Sequence, residues 1–153
     1  MRATITKYYE FEAAHQLQHH LGPDGSPGKC SRPHGHTYRL EVQIEGEVRY
    51  DPSGSDHEFV MDFYDLGQIV KSRIVDRLDH RNLNDELPFR TTAENLAVWI
   101  FGDLSVAGEL PIKQIRLWET STGSVIVTRD QFEHLAYEAL LRSKYQKAVG
   151  DGS

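Results

Sequence analysis

The sequence has a single cysteine, Cys30, so no disulfide can form within the chain and a reducing compartment is its natural setting. It has no apolar run approaching the roughly 18 residues of a membrane-spanning helix. A basic excess is also missing: 17 Lys and Arg stand against 23 Asp and Glu, for a net charge of −6. Nucleic acid and anionic membranes need a basic face, so neither is expected as a partner. The opening stretch, MRATITKYYEFEAAH, alternates and carries charge where a secretory signal has an apolar core. A cytoplasmic location is expected. No repeat, low-complexity tract or shift in composition divides the 153 residues, which suit one domain.

Alternation of period two is the strongest pattern present. In the first segment Ala3, Ile5, Tyr9, Phe11, Ala13 and His15 share one phase, interrupted by Lys7. In the second, His34, His36, Tyr38, Leu40, Val42, Ile44 and Val48 share a phase, with Arg39, Glu41, Gln43, Glu45 and Glu47 between them. Both predict long strands with one buried and one solvated face. Ile112 to Glu119 and Ser124 to Thr128 predict a closing hairpin around Thr-Ser-Thr-Gly. Residues 18–33 and 50–58 carry the Gly, Pro and Ser punctuation of loops.

Two helices are predicted between the strand pairs. The first starts at Asp62 and places Phe63, Leu66, Val70, Ile74 and Leu78 on one face. The second opens at Thr91, with Glu94 three residues later completing a capping box, and continues through Leu96, Ala97, Ile100 and Leu104. Phe132 to about Gln146 predicts a tail helix packed through Phe132, Leu135, Ala139 and Leu140. Strand, strand, helix, helix, strand, strand is the order of an α+β domain with its helices on one face of an antiparallel sheet. Such a sheet has two open edges, and assembly into an oligomeric barrel is one way to close them.

A metal site is the sharpest chemical signal. His34 and His36 stand two apart on a strand and so project from one face, and His15 is in the inward phase of the preceding strand. Three imidazoles with one open position suit catalytic zinc. Gly35 between the pair leaves room for close approach to the backbone. His19, His20, His57 and His134 lie in loop-like or helical-surface contexts with no partner spacing.

Three further residues or pairs are candidates. Cys30, four residues before His34, is open to three readings: a thiolate catalyst lowered in pKa by the metal, a fourth metal ligand, or a small buried hydrophobe. Asp79-His80 reads either as a carboxylate-oriented proton relay or as a cationic histidine at a helix C-terminus. Glu119, in phase with Ile115 and Leu117, needs a partner if buried. That partner is either an arginine or a ligand with two adjacent N–H donors, such as the 2-amino-4-oxo edge of a pterin or guanine.

Together these residues resemble the 6-pyruvoyltetrahydropterin synthase / 6-carboxytetrahydropterin synthase family over roughly residues 4–128. The matching motifs are Phe11-Glu-Ala-Ala-His15, Cys30-Ser-Arg-Pro-His34-Gly-His36, Met61-Asp-Phe63, Leu78-Asp-His-Arg-Asn-Leu-Asn84, Thr92-Ala-Glu-Asn95 and Trp118-Glu-Thr120. The resemblance implies the tunnelling fold (T-fold): a four-stranded antiparallel sheet, two helices on one face, and subunits joined edge to edge into barrels, typically homohexamers. It divides the chain into a pterin synthase domain over 1–130 and a helical tail over 131–153. It implies Zn²⁺ on His15, His34 and His36, Cys30 as catalytic base or acid, and Asp79 with His80 as a relay often contributed across a subunit boundary. Glu119 is the implied pterin anchor, with Thr92 near the same pocket. The three-residue gap between Cys30 and His34 resembles the bacterial 6-carboxytetrahydropterin synthase branch.

The implied substrate is a small-molecule pterin triphosphate, 7,8-dihydroneopterin triphosphate. Its anionic tail must meet local positive charge in an acidic chain, for which Lys29 and Arg32 are candidates. Alternative readings are triphosphate elimination to a 6-pyruvoyl product, a non-catalytic zinc-binding oligomer, and a three-histidine zinc hydratase or hydrolase. Loops 18–28 and 50–58 and the tail match no motif, and Phe89-Arg90 stands where the family often has Asn-Pro.

Overall fold

The computed structural model describes residues 1–50, 52–54, 58–136 and 138–139, which leaves His57 and Leu140 outside the described residues. Strands β1 (Arg2–His15) and β2 (His34–Glu47) pair antiparallel along their whole length, from Arg2 opposite Glu47 to His15 opposite His34. β2 pairs in turn with β4 (Ile112–Trp118), with a register shift at Gln43/Ile44, and β4 with β5 (Ser124–Thr128). The four expected antiparallel strands are joined by a fifth. The two-residue β3 (Arg81–Asn82) runs parallel to β1 at Ala13 and Ala14, giving the order β3-β1-β2-β4-β5. Alternation could not reveal so short a strand, because two residues carry no period.

The inward phase of the strands meets the helices as predicted. Tyr38, Leu40, Val42 and Ile44 are fully buried and Phe11 nearly so, with the Phe11 and Tyr38 rings stacked at 5.1 Å. The first helical rod is α1 (Phe63–Val70), a π turn (Lys71–Val75) and α2 (Asp76–Leu78). Asp62 caps it by accepting from the Tyr64 amide at 2.7 Å. Leu66, Val70, Ile74 and Leu78 are fully buried, each contributing about 1.5–3 kcal/mol by its removal from water. Phe63, expected on that face, is half exposed at the rim of an apolar groove with Ala3, Ile5 and Phe59. Lys7 breaks the apolar phase of β1 for a reason seen only here: its ammonium donates to the Phe63 carbonyl at 2.8 Å.

The second rod is α4 (Ala93–Gly102) and a π turn (Asp103–Ala107), burying Leu96, Ala97, Ile100 and Leu104. The two π turns are tied by a two-pronged ion pair from Arg73 to Asp103 at 2.7 and 2.9 Å. A single turn, α3 (Leu83–Glu86), follows β3. After β5 the backbone is helical over residues 129–136, where Phe132 stacks on Phe101 at 4.7 Å. Leu135 and Ala139 are exposed, so among the described residues of the predicted tail face Phe132 alone packs on the domain. Glu41, expected on the solvated face, is 8% exposed and accepts from the Gln43 side-chain amide.

Candidate active site

His15, His34 and His36 converge at one end of the sheet, and one nitrogen from each lies within 4.8 Å of the other two. Strand alternation turns His34 and His36 to the same side, and the β1–β2 register sets His15 directly opposite His34. His15 is 1% exposed, and its Nδ1 meets the Thr91 carbonyl at 2.8 Å. His34 Nδ1 meets the Arg32 carbonyl at 2.7 Å. A carbonyl only accepts, so both Nδ1 atoms carry the proton in the neutral rings and both Nε2 atoms present lone pairs. Those Nε2 atoms are 3.0 Å apart. Two lone pairs at that distance repel unless a cation lies between them.

His36 Nε2 completes the argument for a metal. It is buried without a hydrogen bond. Glu119 Oε1 is 3.1 Å away, close enough to attract a charge but out of line for a hydrogen bond. Burial, opposed by Glu119 and reinforced by the other two imidazoles, holds His36 below the ordinary histidine range, so the neutral, ligating form is favoured. Backbone carbonyls orienting two ligands, an orphaned third nitrogen and a nearby carboxylate fit a metal ion well.

Cys30 lies outside this cluster, half-buried in a single 3-10 turn (Lys29–Ser31), so the fourth-ligand reading finds no support. The loop that delivers it is ordered. Leu21 bridges Pro27, Gly28 N donates to the His20 carbonyl at 2.8 Å, and Leu17 N donates to the Cys30 carbonyl at 2.8 Å. His20 packs against Gly28, where an added Cβ would lie 2.5 Å from the His20 ring. Lys29 and Arg32 beside the cysteine are exposed.

Asp79 and His80 sit on the outer edge of β1. Asp79 Oδ1 accepts from the Glu12 amide at 2.8 Å and Oδ2 lies 2.9 Å from His80 Nδ1. The Glu12 amide first, then His80, hold the Asp79 carboxyl below its usual range. The His80 amide donates to the Glu12 carbonyl at 2.6 Å, and the Asn84 side chain pairs with both Gln16 backbone groups at 2.8 and 2.9 Å. Residues 79–84 thus form a strap along β1 that brackets His15. The His80 imidazole is 79% exposed and shares with Glu12, Gly35, His36 and Thr37 an open cleft of about 490 Å³.

His80 also adopts a left-handed backbone (φ 57°), at the kind of helix-terminal position where glycine is favoured. That conformation costs a side-chain-bearing residue roughly 1–2 kcal/mol. The exposed pair with Asp79, screened by solvent, returns little of that. His80→Gly is therefore expected to melt at or above the parent temperature while losing turnover. A clear drop in Tm would show that the backbone there carries no strain.

Thr92, not Thr91, caps α4, accepting from the Asn95 amide at 3.3 Å. Thr91 is fully buried with its carbonyl committed to His15, which moves the predicted cap by one residue. Glu94 is exposed. Glu119 is held by a turn in which its own amide donates to the Gly123 carbonyl and the Gly123 amide to Thr120 Oγ1. Its partner is His36 rather than an arginine. Thr91, Asn84 and the Arg32 carbonyl are site residues that sequence reading missed. Arg32 and Asn84 stand inside the matching motifs and Thr91 has the composition of a helix cap, but none of these signals points to the contacts they make here. His19 and His134 are exposed and away from the cluster, His134 facing Glu138. Another depression, about 730 Å³, lies at the far end of the sheet, where Arg2 and Lys113 are already engaged by Glu45.

The fold and site define an α+β protein with a three-imidazole cluster, able to hold a metal ion, at the end of its sheet. The chain belongs to the 6-pyruvoyl tetrahydropterin synthase family, whose model matches residues 4–130. It is 40% identical to 6-carboxy-5,6,7,8-tetrahydropterin synthase of Haemophilus influenzae, over 77% of this chain and 93% of that one. It is 36% identical to dihydroneopterin monophosphate aldolase of Pyrococcus furiosus, over 78% and 91%. The structure of Caenorhabditis elegans 6-pyruvoyl tetrahydropterin synthase superposes with a TM-score of 0.67 at 28% identity, over 84% of this chain and 96% of that one. The fold is thus the T-fold and the chain is an enzyme of the tetrahydropterin synthase type. Among the described residues no helix is long and apolar enough to cross a membrane.

Proposed function

We propose that the chain is a zinc-dependent lyase converting 7,8-dihydroneopterin triphosphate to 6-carboxy-5,6,7,8-tetrahydropterin, with release of acetaldehyde and triphosphate. Its place is the route to 7-deazaguanines such as queuosine. The observation that carries this is the meeting of His15, His34 and His36, with Cys30 partly exposed and outside their cluster. Support comes from the three-residue spacing of Cys30 and His34, and from the 40% and 39% identity to relatives named for the carboxy product in Haemophilus influenzae and Synechocystis. Three neutral imidazoles suit zinc, which supplies a Lewis acid for a substrate oxygen.

Around that centre each residue has a separable task. Glu119 presents a carboxylate able to take the two N–H donors of a pterin edge, orienting the ring. Cys30 holds or takes a proton at the substrate side chain. His80, kept in place by Asp79, relays protons to the cleft. Because the His80 imidazole is largely exposed in its own subunit, the relay serves a site completed by a neighbouring copy. An oligomer is consistent with the sheet edges: among the described residues β1 is covered on its outer side only at Ala13 and Ala14, and β5 not at all. Edge-to-edge closure, with a hexamer expected, removes that exposure.

Anaerobic incubation of zinc-loaded protein with 7,8-dihydroneopterin triphosphate, read by mass spectrometry, tests the proposal. The expected products are 6-carboxytetrahydropterin and acetaldehyde. A 6-pyruvoyl product keeps the site and changes the reaction. No turnover with zinc bound refutes the catalytic reading in favour of a non-catalytic metal-binding oligomer.

A further inference from the structure

The segment between β1 and Cys30 matches no family motif, yet it is ordered as a narrow hairpin. Leu17 N donates to the Cys30 carbonyl at 2.8 Å, Gly28 N to the His20 carbonyl at 2.8 Å and Gly22 N to the Ser26 carbonyl at 2.7 Å. Gly25 turns the tip with a left-handed φ of 78°. Gly28 is the junction between this hairpin and the turn that carries the thiol. Its amide is held by His20, and its carbonyl accepts from both the Ser31 amide at 2.9 Å and the Ser31 hydroxyl at 2.6 Å, closing the 3-10 turn over Lys29–Ser31. That turn runs directly into the metal cluster, where the Arg32 carbonyl meets His34 Nδ1 at 2.7 Å.

The backbone at Gly28 does not call for glycine, since φ −68° and ψ 158° are open to any residue. What requires it is space. An added Cβ would lie 2.5 Å from His20 Cδ2, 3.1 Å from His20 Nε2 and 3.3 Å from the Gly22 nitrogen. The missing side chain is the slot in which the half-buried His20 ring lies. We propose that His20 is the positioning residue of the Cys30 thiol: its ring, wedged against Gly28, clamps the base of the 3-10 turn and so fixes Cys30 relative to His34. The role is one of shape, in which the imidazole carries no proton. The inference deepens the proposed function and rests on its reading of Cys30 as the proton-transfer group.

Cys30 is the single thiol of the chain, so its alkylation by iodoacetamide reports on the turn and needs no turnover. In zinc-loaded protein, His20→Ala is expected to speed alkylation about threefold, because a loosened turn opens more often. Its kcat is expected to fall about 10–100-fold with KM little changed, the cost of misplacing a reacting group by up to an ångström. His20→Phe keeps a flat ring in the slot and is expected to stay within about twofold of the parent in both rates. Gly28→Ala is expected to act like His20→Ala, because the new methyl displaces the ring. In a His20→Ala background the same Gly28→Ala change is expected to alter either rate less than about twofold, since no ring remains to displace. Parent-like rates in His20→Ala, a His20→Phe that behaves like His20→Ala, or a Gly28→Ala effect that persists without the ring each overturn the inference. Parent-like turnover in Cys30→Ala overturns the catalytic reading and this inference with it, a failure kept distinct because the alkylation rates do not depend on turnover.

Discussion

His34→Ala is expected to weaken metal binding by roughly a thousandfold and to abolish turnover while the chain stays folded. Structural zinc sites bind with about 10–16 kcal/mol, and losing one of three protein ligands removes about 4 kcal/mol of a binding energy on that scale. The loss exceeds the 10–100-fold typical of groups that merely orient a ligand. His34 is the best of the three to remove because it is only half-buried, whereas His15 is 1% exposed and bonded to Thr91 across 76 residues of sequence. Competition with a chromophoric chelator gives the affinity and a thermal melt reports the fold. Undiminished binding in His34→Ala would move the metal elsewhere. Acidification should release the metal in the parent chain, since every ligand must be neutral. Burial keeps His36 in that form further into acid than an unperturbed imidazole.

Cys30→Ala is expected to leave one metal per chain and to lower kcat by roughly 10²–10⁴-fold, the contribution of a positioned proton-transfer group. The two halves of this result separate the readings of the lone thiol. A fourth ligand would take metal affinity down with it, and a small buried hydrophobe would change neither quantity. The catalytic reading needs a thiol that is accessible and not a ligand: the 3-10 turn leaves Cys30 partly exposed and outside the histidine cluster, with its backbone tied to Leu17 at the neck of the loop. Metal stoichiometry by atomic emission and single-turnover rates at saturating substrate measure the two halves independently.

The strands and the convergence of the three histidines were legible in the sequence because alternation is local. Once Leu40, Val42 and Ile44 declare the inward face, His34 and His36 must share it, and His15 follows from the phase of Ala13 and Phe11. The helices were legible for the same reason, with period 3.6 in place of 2, which is how Leu66, Val70, Ile74 and Leu78 were found. Errors arose where a residue's partner is distant. Thr91 has the composition of a cap but gives its carbonyl to His15, so the cap falls to Thr92. Leu135 and Ala139 have a helical spacing but stand exposed, with nothing among the described residues to cover them. The sequence of 79–84 showed a motif without showing that Asp79 and Asn84 pin the β1 edge on either side of His15.

The sequence by itself determined an acidic α+β chain with one thiol and three histidines on the buried faces of two long strands. Each of these follows from composition or from a short repeat that needs no knowledge of the fold. Only the tertiary structure decided that the imidazoles meet within 4.8 Å, that Cys30 stays outside them, and that Glu119 faces His36 while His80 stands exposed on Asp79. Such pairings depend on strand register and on the packing of segments tens of residues apart. Many distant contacts must form together before any one of them is specified, and no local period encodes that agreement.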